Sequence, residues 1–419
     1  MNDLLITDVF FNGKLSDIAI ANGKIISISD AGDSREDANE IFAADKKLAA
    51  FPPFYNTHTH AAMSLLRGYA EDLELFEWLN EHIWPAEAKL TEEDVYVGTR
   101  LATIEMIRSG TVYFNDSYWM PEAALRAVRE SGMRATLGLL YLCDTNGNIA
   151  PKAVADNEKL LDAAKSSTYR KINISHSPHA IYTVPEKVLR SISQQMDKDA
   201  LPLHIHVAET EKEFNDCRNQ HNGMTPVEYL DSLGLIRNNA MLAHCVYLTD
   251  NDRKIIAERG AYIAHNPVSN MKLCSGLFEY EKAKAAGCKI TIGTDGCSSN
   301  NSLSMFDEMK FAALTAKTSA KQPTAGNVDS IFNAATIGGM PFAGVAEDAA
   351  DLMLIDLEHP VLRSAHDIKS TLVYAGEPGM VDTLICGGEI LMKNKHIPGE
   401  KEIVDAAYDI CKKIGNFKK

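Results

Sequence analysis

The feature that most constrains this chain is a series of eight short apolar segments that alternate with longer amphipathic segments from residue 53 onward. Apolar runs of this length favour buried strands, and amphipathic segments favour helices. The predicted strands are Pro53–Thr57, Thr111–Phe114, Arg134–Leu140, Lys171–Ser175, Leu201–Val207, Ala240–Ala243, Ala261–Ala264 and Lys289–Gly293. The predicted helices are Glu92–Ser109, Pro121–Ser131, Val154–Ser166, Pro185–Met196, Pro226–Leu233, Asp250–Arg259, Tyr280–Ala286, Met305–Lys317 and Ser330–Gly338. This α/β pattern predicts a TIM-like (β/α)8 barrel over the alternative, a doubly wound sheet, whose glycine-rich phosphate turn follows none of the strands.

Both ends of the chain have a different pattern, of short strands and tight turns. Asn12-Gly13, Asn22-Gly23 and Gly387-Gly388 are hairpin signals. The strands predicted around them are Leu4–Val9, Asp17–Ala21, Lys24–Ile28, Asp351–Asp356, Ser370–Tyr374, Val381–Cys386 and Glu389–Met392, before a short terminal helix with a basic end (Lys412, Lys413, Lys418, Lys419). Neither end can form a stable sheet alone. We therefore predict a small β-sandwich domain from residues 1–52 and 348–419, beside a catalytic barrel of residues 53–347.

Composition excludes several classes of partner. The formal net charge is −15, which disfavours nucleic acid and anionic membranes as partners. No apolar run approaches the roughly 18 residues of a membrane span. The eight cysteines are scattered and form no Cys-x-x-Cys pair. These features predict a reduced, cytoplasmic protein.

Five of the eight predicted strands end in histidine or aspartate or lead into one. The residues are His58 and His60 for strand 1, His206 for strand 5, His244 for strand 6, His265 for strand 7 and Asp295 for strand 8. In (β/α)8 barrels the active site lies at the carboxyl ends of the strands, so these side chains are expected to meet.

This set of residues suits one divalent metal ion. Imidazoles from His58, His60 and His206 with the Asp295 carboxylate fit zinc, and also ferrous iron. A water molecule could bind at an open coordination position, and the ion would lower the pKa of that water toward neutrality. His244, one strand along, could hold or deprotonate that water.

Glu209 is a candidate general acid/base. It lies three residues after His206, so on an ideal strand it would face the opposite way. The chain must therefore turn after Val207 for Glu209 to reach the site. The alternative is a solvated loop carboxylate beside Glu211 and Glu213.

The candidate residues lie in longer motifs: Asn56-Thr57-His58-Thr59-His60, His204-Ile205-His206-Val207-Ala208-Glu209-Thr210, Ala243-His244-Cys245, His265-Asn266-Pro267-Val268-Ser269-Asn270-Met271-Lys272-Leu273 and Gly293-Thr294-Asp295-Gly296, the last of which continues as Ser298–Leu303. With these motifs the chain resembles the amidohydrolase superfamily and, within it, the methylthioadenosine/S-adenosylhomocysteine deaminase group. The segment Ser298–Leu303 resembles the adenosine-type deaminases in particular, and the resemblance covers essentially the whole chain.

The resemblance implies a role for each of these residues. His58, His60, His206 and Asp295 match the metal ligands. Glu209 matches the residue that moves a proton to the purine ring nitrogen. His244 matches the residue that orients the attacking water, and Asp295 would accept a proton from it. The group also leads us to expect a homo-oligomer.

The resemblance implies nucleoside-binding residues as well. Glu87 matches a carboxylate that binds the ribose hydroxyls, and a carboxylate can accept from two vicinal hydroxyls. The alternative for Glu87 is the exposed face of a helix start. His179 matches a histidine that contacts the nucleoside. Trp78 and Ser299 match positions in the pocket wall, although Trp78 could simply be packing.

One departure bears on the 5′-substituent of the nucleoside. Members that accept S-adenosylhomocysteine can hold its carboxylate with arginines near strand 3, but here no arginine lies between Arg134 and Arg170. Lys152 is the only cation in the loop after strand 3, and guanidinium recognises carboxylates better. We therefore expect a preference for uncharged 5′-substituents, as in methylthioadenosine, 5′-deoxyadenosine or adenosine.

Two other functions remain open from the sequence. One is a deaminase or chlorohydrolase of another nitrogen heterocycle such as guanine, pterin or triazine; Glu87 and His179 favour a nucleoside instead. The other is a non-catalytic barrel scaffold, which the filled ligand positions disfavour. A binuclear site is disfavoured because Ser175-His176-Ser177 stands where a bridging lysine would be needed.

Overall fold

The computed structural model describes residues 2–32, 37–144 and 146–415. Its strands are β1 (Asn2–Phe11), β2 (Lys14–Ala21), β3 (Lys24–Asp30), β4 (Ala38–Ala43), β5 (Leu48–Phe51), β6 (Phe54–Thr59), β7 (Thr111–Asp116), β8 (Arg134–Tyr141), β9 (Ile172–Pro178), β10 (Leu203–Val207), β11 (Ala240–His244), β12 (Tyr262–His265), β13 (Lys289–Ile292), β14 (Leu352–Asp356), β15 (Val381–Cys386) and β16 (Glu389–Met392).

The longer α-helices mostly cover the outside of the barrel. They are Glu92–Arg108, Pro121–Ser131, Pro151–Ser166, Glu186–Asp199, Glu211–Gln220, Pro226–Ser232, Asp250–Arg259, Met305–Ala320, Val328–Ala335, Ile368–Ala375 and Glu400–Ile414. The shorter helical segments are Ala61–Leu66, Leu75–Glu77, Trp78–Ile83, Trp84–Glu87, Pro267–Lys272, Tyr280–Ala285, Cys297–Asn300, Ile337–Gly339, Pro360–Arg363 and Pro378–Met380. Within the described ranges, no helix is long and apolar enough to cross a membrane.

The strands β6 to β13 form a parallel sheet in sequence order, which confirms the predicted barrel. The two edge strands meet where the His58 carbonyl accepts hydrogen bonds from the backbone N–H groups of Thr294 and Asp295, at 3.1 and 2.9 Å. Thr57 adds a bond of 3.0 Å from its hydroxyl to the Ile292 carbonyl. This closure brings the ends of β6 and β13, with their histidines and aspartate, side by side.

Most positions of the barrel strands are buried because both faces of the sheet are covered. Phe54, Tyr55, Tyr113 and Phe114 are fully buried. Polar residues such as Asn56 and Thr136 also occur along these strands, but the histidines and the aspartate of the predicted site lie at the carboxyl ends or just beyond them.

The strands from the two ends of the chain join in one mixed sheet. Its order is β16-β15-β14-β5-β1-β2-β3, with β4 beside β1. The antiparallel pair β5–β14 joins the two segments, from Leu48 opposite Asp356 to Phe51 opposite Met353. The predicted pairing of the two termini is confirmed, whereas the domain limits at residues 53 and 347 stay a prediction.

One predicted strand of this region is wrong. Ser370–Tyr374 lies in the helix Ile368–Ala375. The Asp367 side chain caps that helix by accepting a hydrogen bond from the backbone N–H of Ser370 at 2.6 Å. The apolar residues Leu372 and Val373 are buried on a helix, not on a strand face.

The end of the chain is helical, as predicted, but the helix is longer than expected. It runs from Glu400 to Ile414. Its basic last turn contains Lys412 and Lys413, while Lys418 and Lys419 lie outside the described residues.

Candidate active site

A pocket of about 690 Å³, including its open mouth, lies at the carboxyl ends of the barrel strands. Nine of the sequence-predicted site residues line it: His60, Trp78, Glu87, His179, His206, Glu209, His244, Asp295 and Ser299. His58 is fully buried beneath them. His265 does not line the pocket; it is buried, and its ring packs against Phe278.

The floor of the pocket is a cluster of imidazoles around one carboxylate. The Asp295 Oδ1 atom lies 3.4 Å from His58 Nε2 and 3.3 Å from His60 Nε2. The Nε2 atoms of His60 and His206 are 3.2 Å apart. Ligand atoms of His58, His206 and His244 also lie within 4.8 Å of one another. Each of these residues comes from the end of β6, β10 or β11, or from the turn after β13.

Three of these histidines have the Nδ1 atom already occupied. His58 Nδ1 lies 2.7 Å from His204 Nε2, and His60 Nδ1 donates to the Ser117 carbonyl at 2.6 Å. His206 Nδ1 donates to the His179 carbonyl at 2.7 Å. Each bond fixes a ring and directs Nε2 toward the centre of the cluster, as in metal-binding histidines.

The donor set fits a divalent metal ion. His58 Nε2 is buried and has no hydrogen-bond partner, which is costly unless another group satisfies it. Burial lowers the pKa of His58 to about 4 and the pKa of His206 well below its usual value. Neutral imidazole is the form that binds metals.

Asp295 is held in a fixed orientation by neighbours on its own turn and on the loop after β12. Its backbone is left-handed, with a φ of 61°. One carboxylate oxygen accepts from the Ser269 hydroxyl at 2.6 Å, and the other accepts from the backbone N–H of Gly296 at 2.8 Å. Burial raises the pKa of the carboxyl, but the neighbouring imidazoles of His58, His60 and His244 outweigh that effect and leave the pKa well below its usual range.

Glu209 reaches the site because the chain turns at Ala208. Ala208 has a φ of 51°, so the strand ends there and the next side chain swings into the pocket. Glu209 is only 4% exposed; it accepts from the Ser275 hydroxyl at 3.3 Å and lies 3.9 Å from His244 Nε2. Burial raises the pKa of its carboxyl. The solvated-loop alternative is therefore wrong for Glu209.

His244 lies between the cluster and Glu209. Its Nδ1 atom is 2.8 Å from the Asn270 side-chain oxygen, and its ring stacks on His206 at a centroid distance of 5.4 Å. The Nε2 atom faces the Glu209 carboxylate. The ring is thus able to contact a molecule that bridges the two.

The rim of the pocket is built from helical segments between residues 75 and 87. Trp78 begins a π-helical turn, a form that is uncommon and often found at functional sites. Glu87 is 6% exposed, so the exposed-helix alternative is wrong. One of its oxygens accepts from the indole N–H of Trp119 at 3.3 Å, whereas the other has no hydrogen bond of good geometry, although the Tyr118 hydroxyl interacts with the same carboxyl. An unpaired buried carboxylate oxygen beside a pocket is available to a ligand.

The remaining rim residues also have defined neighbours. The Nδ1 atom of His179 lies 2.9 Å from the Thr183 hydroxyl, and its ring lies 6.4 Å from that of Trp84. Ser299 is buried and donates to the Gly296 carbonyl at 3.1 Å.

Several residues that support the site were not identified from the sequence. Ser117, Trp119, Ser269, Ser275 and Glu213 bond to site residues. Ser269 stands inside a recognised motif, and Glu213 follows Thr210 in the Thr-x-x-Glu spacing of a helix start, so both gave a signal. The other three gave none because their partners are distant in sequence.

Comparison with known proteins places this site in a family. Residues 49–391 match the amidohydrolase family model. The chain is 39% identical to 5-methylthioadenosine/S-adenosylhomocysteine deaminase 1 of Archaeoglobus fulgidus, over 92% of this chain and 93% of that protein. It is 41% identical to 5′-deoxyadenosine deaminase of Methanospirillum hungatei, over 90% of this chain and 86% of that protein. The chain belongs to the amidohydrolase family.

A solved structure adds a match for both fold and sequence. The zinc-bound adenosine deaminase of Xanthomonas campestris superimposes with a TM-score of 0.92 and 30% identity, covering 99% of this chain and 98% of that one. The histidine cluster described above is typical of the metal site in this family.

Proposed function

We infer that this chain is a metal-dependent deaminase of adenosine-type nucleosides, which converts them to the inosine analogue and ammonia. The relatives named as deaminases share about 40% identity with it over nearly the full length. The observation that carries the inference is the buried Glu209 carboxyl beside a cluster of three imidazoles and a carboxylate at one pocket. Glu209 can then carry the proton, and the imidazoles with the carboxylate can hold the metal ion.

We propose His58, His60, His206 and Asp295 as the ligands of one divalent ion per subunit. Zinc is the first candidate, because the similar adenosine deaminase contains it, and iron is the second. When bound, the ion supplies a nucleophile at neutral pH by lowering the pKa of a water molecule.

The proposed proton transfers use three residues of the floor. Glu209 is protonated more readily than an ordinary carboxyl, because burial raises its pKa, and it delivers a proton to the purine ring nitrogen. His244 orients the attacking water, and Asp295 accepts a proton from it. Water adds to the carbon that bears the amino group, and the proton taken up by Asp295 passes to that amino group. The bond from carbon to nitrogen breaks and ammonia leaves, while the new hydroxyl becomes the carbonyl by returning a proton to Glu209.

The rim binds the nucleoside in this proposal. The free oxygen of Glu87 accepts hydrogen bonds from the ribose hydroxyls, while the Trp119 indole holds its other oxygen. His179 contacts the nucleoside, and Trp78 and Ser299 form the wall around it.

We further propose that uncharged 5′-substituents are preferred. No arginine is among the described residues that line this pocket or the cleft beside it, which shares Trp84, Leu142 and Tyr182 with the pocket. Lys212 lines the cleft but is ion-paired with Asp216. A carboxylate at the 5′ end would therefore lose hydration without gaining a free cation.

A substrate panel tests both levels of the proposal. The metal-loaded protein is assayed with adenosine, 5′-deoxyadenosine, methylthioadenosine and S-adenosylhomocysteine, by the adenine-to-hypoxanthine absorbance change and by ammonia release. We expect turnover of the first three and a lower kcat/KM for S-adenosylhomocysteine. No turnover of any of the four would refute nucleoside deamination. A kcat/KM for S-adenosylhomocysteine equal to that for methylthioadenosine would refute only the 5′ preference. The predicted homo-oligomer needs a separate measurement of mass in solution.

A further inference from the structure

Among the described residues, four helices start with threonine followed three residues later by an acidic residue. The pairs are Thr91–Asp94, Thr210–Glu213, Thr225–Glu228 and Thr249–Asp252. This spacing normally forms a capping box, in which the carboxylate accepts a hydrogen bond from the threonine's own backbone N–H. Three of the four helices have that arrangement.

The helix Glu211–Gln220 uses its carboxylate differently. Glu213 Oε1 accepts from the backbone N–H of Ala208 at 2.9 Å, and Oε2 accepts from the backbone N–H of Glu209 at 2.8 Å. The side chain thus accepts hydrogen bonds from the two residues before the N-cap residue Thr210, and it forms no capping box with the N–H of Thr210 itself. Glu213 is buried, with 3% of its surface exposed.

The two bonds lie on either side of the Ala208 α-carbon. Successive N–H groups around a left-handed residue form a concave anion-binding arrangement, and the Glu213 carboxylate fills it. Alanine does not favour the left-handed conformation, so the turn at Ala208 needs such support. The direction of the Glu209 side chain depends on that turn.

We propose that Glu213 is a positioning residue, which holds the Ala208 turn and so aims the Glu209 carboxyl at the substrate. It acts on the reaction only through Glu209, and the inference rests on the proton-transfer role proposed for Glu209. Its cap-like sequence position hides this function, because the same spacing forms a capping box in the other three places.

The test compares Glu213→Gln with Glu228→Gln, the matched change in an ordinary capping box. Glutamine keeps the size but turns one acceptor into a donor that faces an N–H group. We expect kcat for 5′-deoxyadenosine to fall about 10- to 100-fold in Glu213→Gln, with KM within about threefold and the metal content unchanged. Glu228→Gln should lower the melting temperature but leave kcat within about twofold.

Hydrogen–deuterium exchange of the peptide that contains Ala208 and Glu209 gives a second readout that needs no turnover. We expect exchange at least about tenfold faster in Glu213→Gln and unchanged in Glu228→Gln. A kcat within twofold of the parent enzyme, or unchanged exchange, would overturn the proposal. If Glu213→Gln does not fold, Glu213→Asp, which is too short to bond both N–H groups, is judged by the same criteria. A parent enzyme that turns over no nucleoside would refute the proposed function alone, and the exchange data would still decide whether Glu213 holds the turn.

Discussion

The floor and the rim of the pocket are built in different ways. The floor residues lie at the ends of strands, and each has a hydrogen bond to a fixed partner, as His60 has to the Ser117 carbonyl and Asp295 to the Ser269 hydroxyl. The rim comes from short helical segments that pack through aromatic rings, and its one buried carboxylate, Glu87, keeps an unpaired oxygen. Rigid polar support suits chemistry, whereas an unpaired acceptor suits recognition of a ligand. Changes in the floor should therefore alter kcat, and changes in the rim should alter KM.

The largest effect is expected for Glu209→Gln in the floor. Glutamine has nearly the same size but carries no transferable proton, and general acid/base groups contribute about 10²- to 10⁴-fold. We expect kcat for 5′-deoxyadenosine to fall by a factor within that range, with KM and zinc content unchanged. Steady-state kinetics with metal analysis measure all three. A loss in KM alone would mean that Glu209 belongs with the rim.

Ser269→Ala tests whether the floor's supporting bonds matter as much as its ligands. The change removes the donor 2.6 Å from Asp295 and leaves the carboxylate held mainly by the backbone N–H of Gly296. Loss of such a supporting bond lowers metal affinity by about 10- to 100-fold. Competition with a chelator measures the affinity, and Ser232→Ala on a distant helix is the control. Equal affinity in both variants would show that the turn alone orients Asp295.

The difference between floor and rim also explains what the sequence could predict. His58, His60 and Asp295 were identifiable because buried parallel strands read as apolar runs that stop at polar residues. Supports such as Ser117 and Trp119 were not, because they bond to residues far away in the chain. The helix Glu211–Gln220 was missed for a local reason: its burial is confined to Glu213 and Cys217, so it has no apolar periodicity.

The wrong prediction of a strand at residues 370–374 also has a local cause. A short apolar run can be strand or helix, and its period alone does not decide between them. The deciding residue was Asp367, whose capping bond lies before the run. The domain limits also stay a prediction, because the two sheets follow each other closely in the chain. β5 belongs to the mixed sheet and ends at Phe51, and β6 of the barrel starts only three residues later at Phe54.

Glu87→Gln tests the role of the rim in binding the ribose. Glutamine keeps one acceptor but loses the charge that strengthens bonds to the ribose hydroxyls, a loss of about 1.5 kcal/mol or roughly tenfold. We expect KM for adenosine to rise by that factor with kcat little changed. The substrate 2′,3′-dideoxyadenosine is the control, since it has no hydroxyls to lose. An equal rise for both substrates would remove Glu87 from ribose recognition.

The smallest effect is expected for Trp119→Phe, which keeps an aromatic ring but removes the donor that holds one Glu87 oxygen at 3.3 Å. The freed carboxylate gains a second orientation, so its bonds to ribose weaken by about 1 kcal/mol, or about fivefold in KM. In the Glu87→Gln enzyme, Trp119→Phe should raise KM little further, because the two residues act as one unit and their effects are not additive. KM values from the four enzymes of this cycle measure the coupling. Additive effects would mean that Trp119 contacts the nucleoside itself, and the rim would then recognise ribose through two independent groups instead of one supported carboxylate.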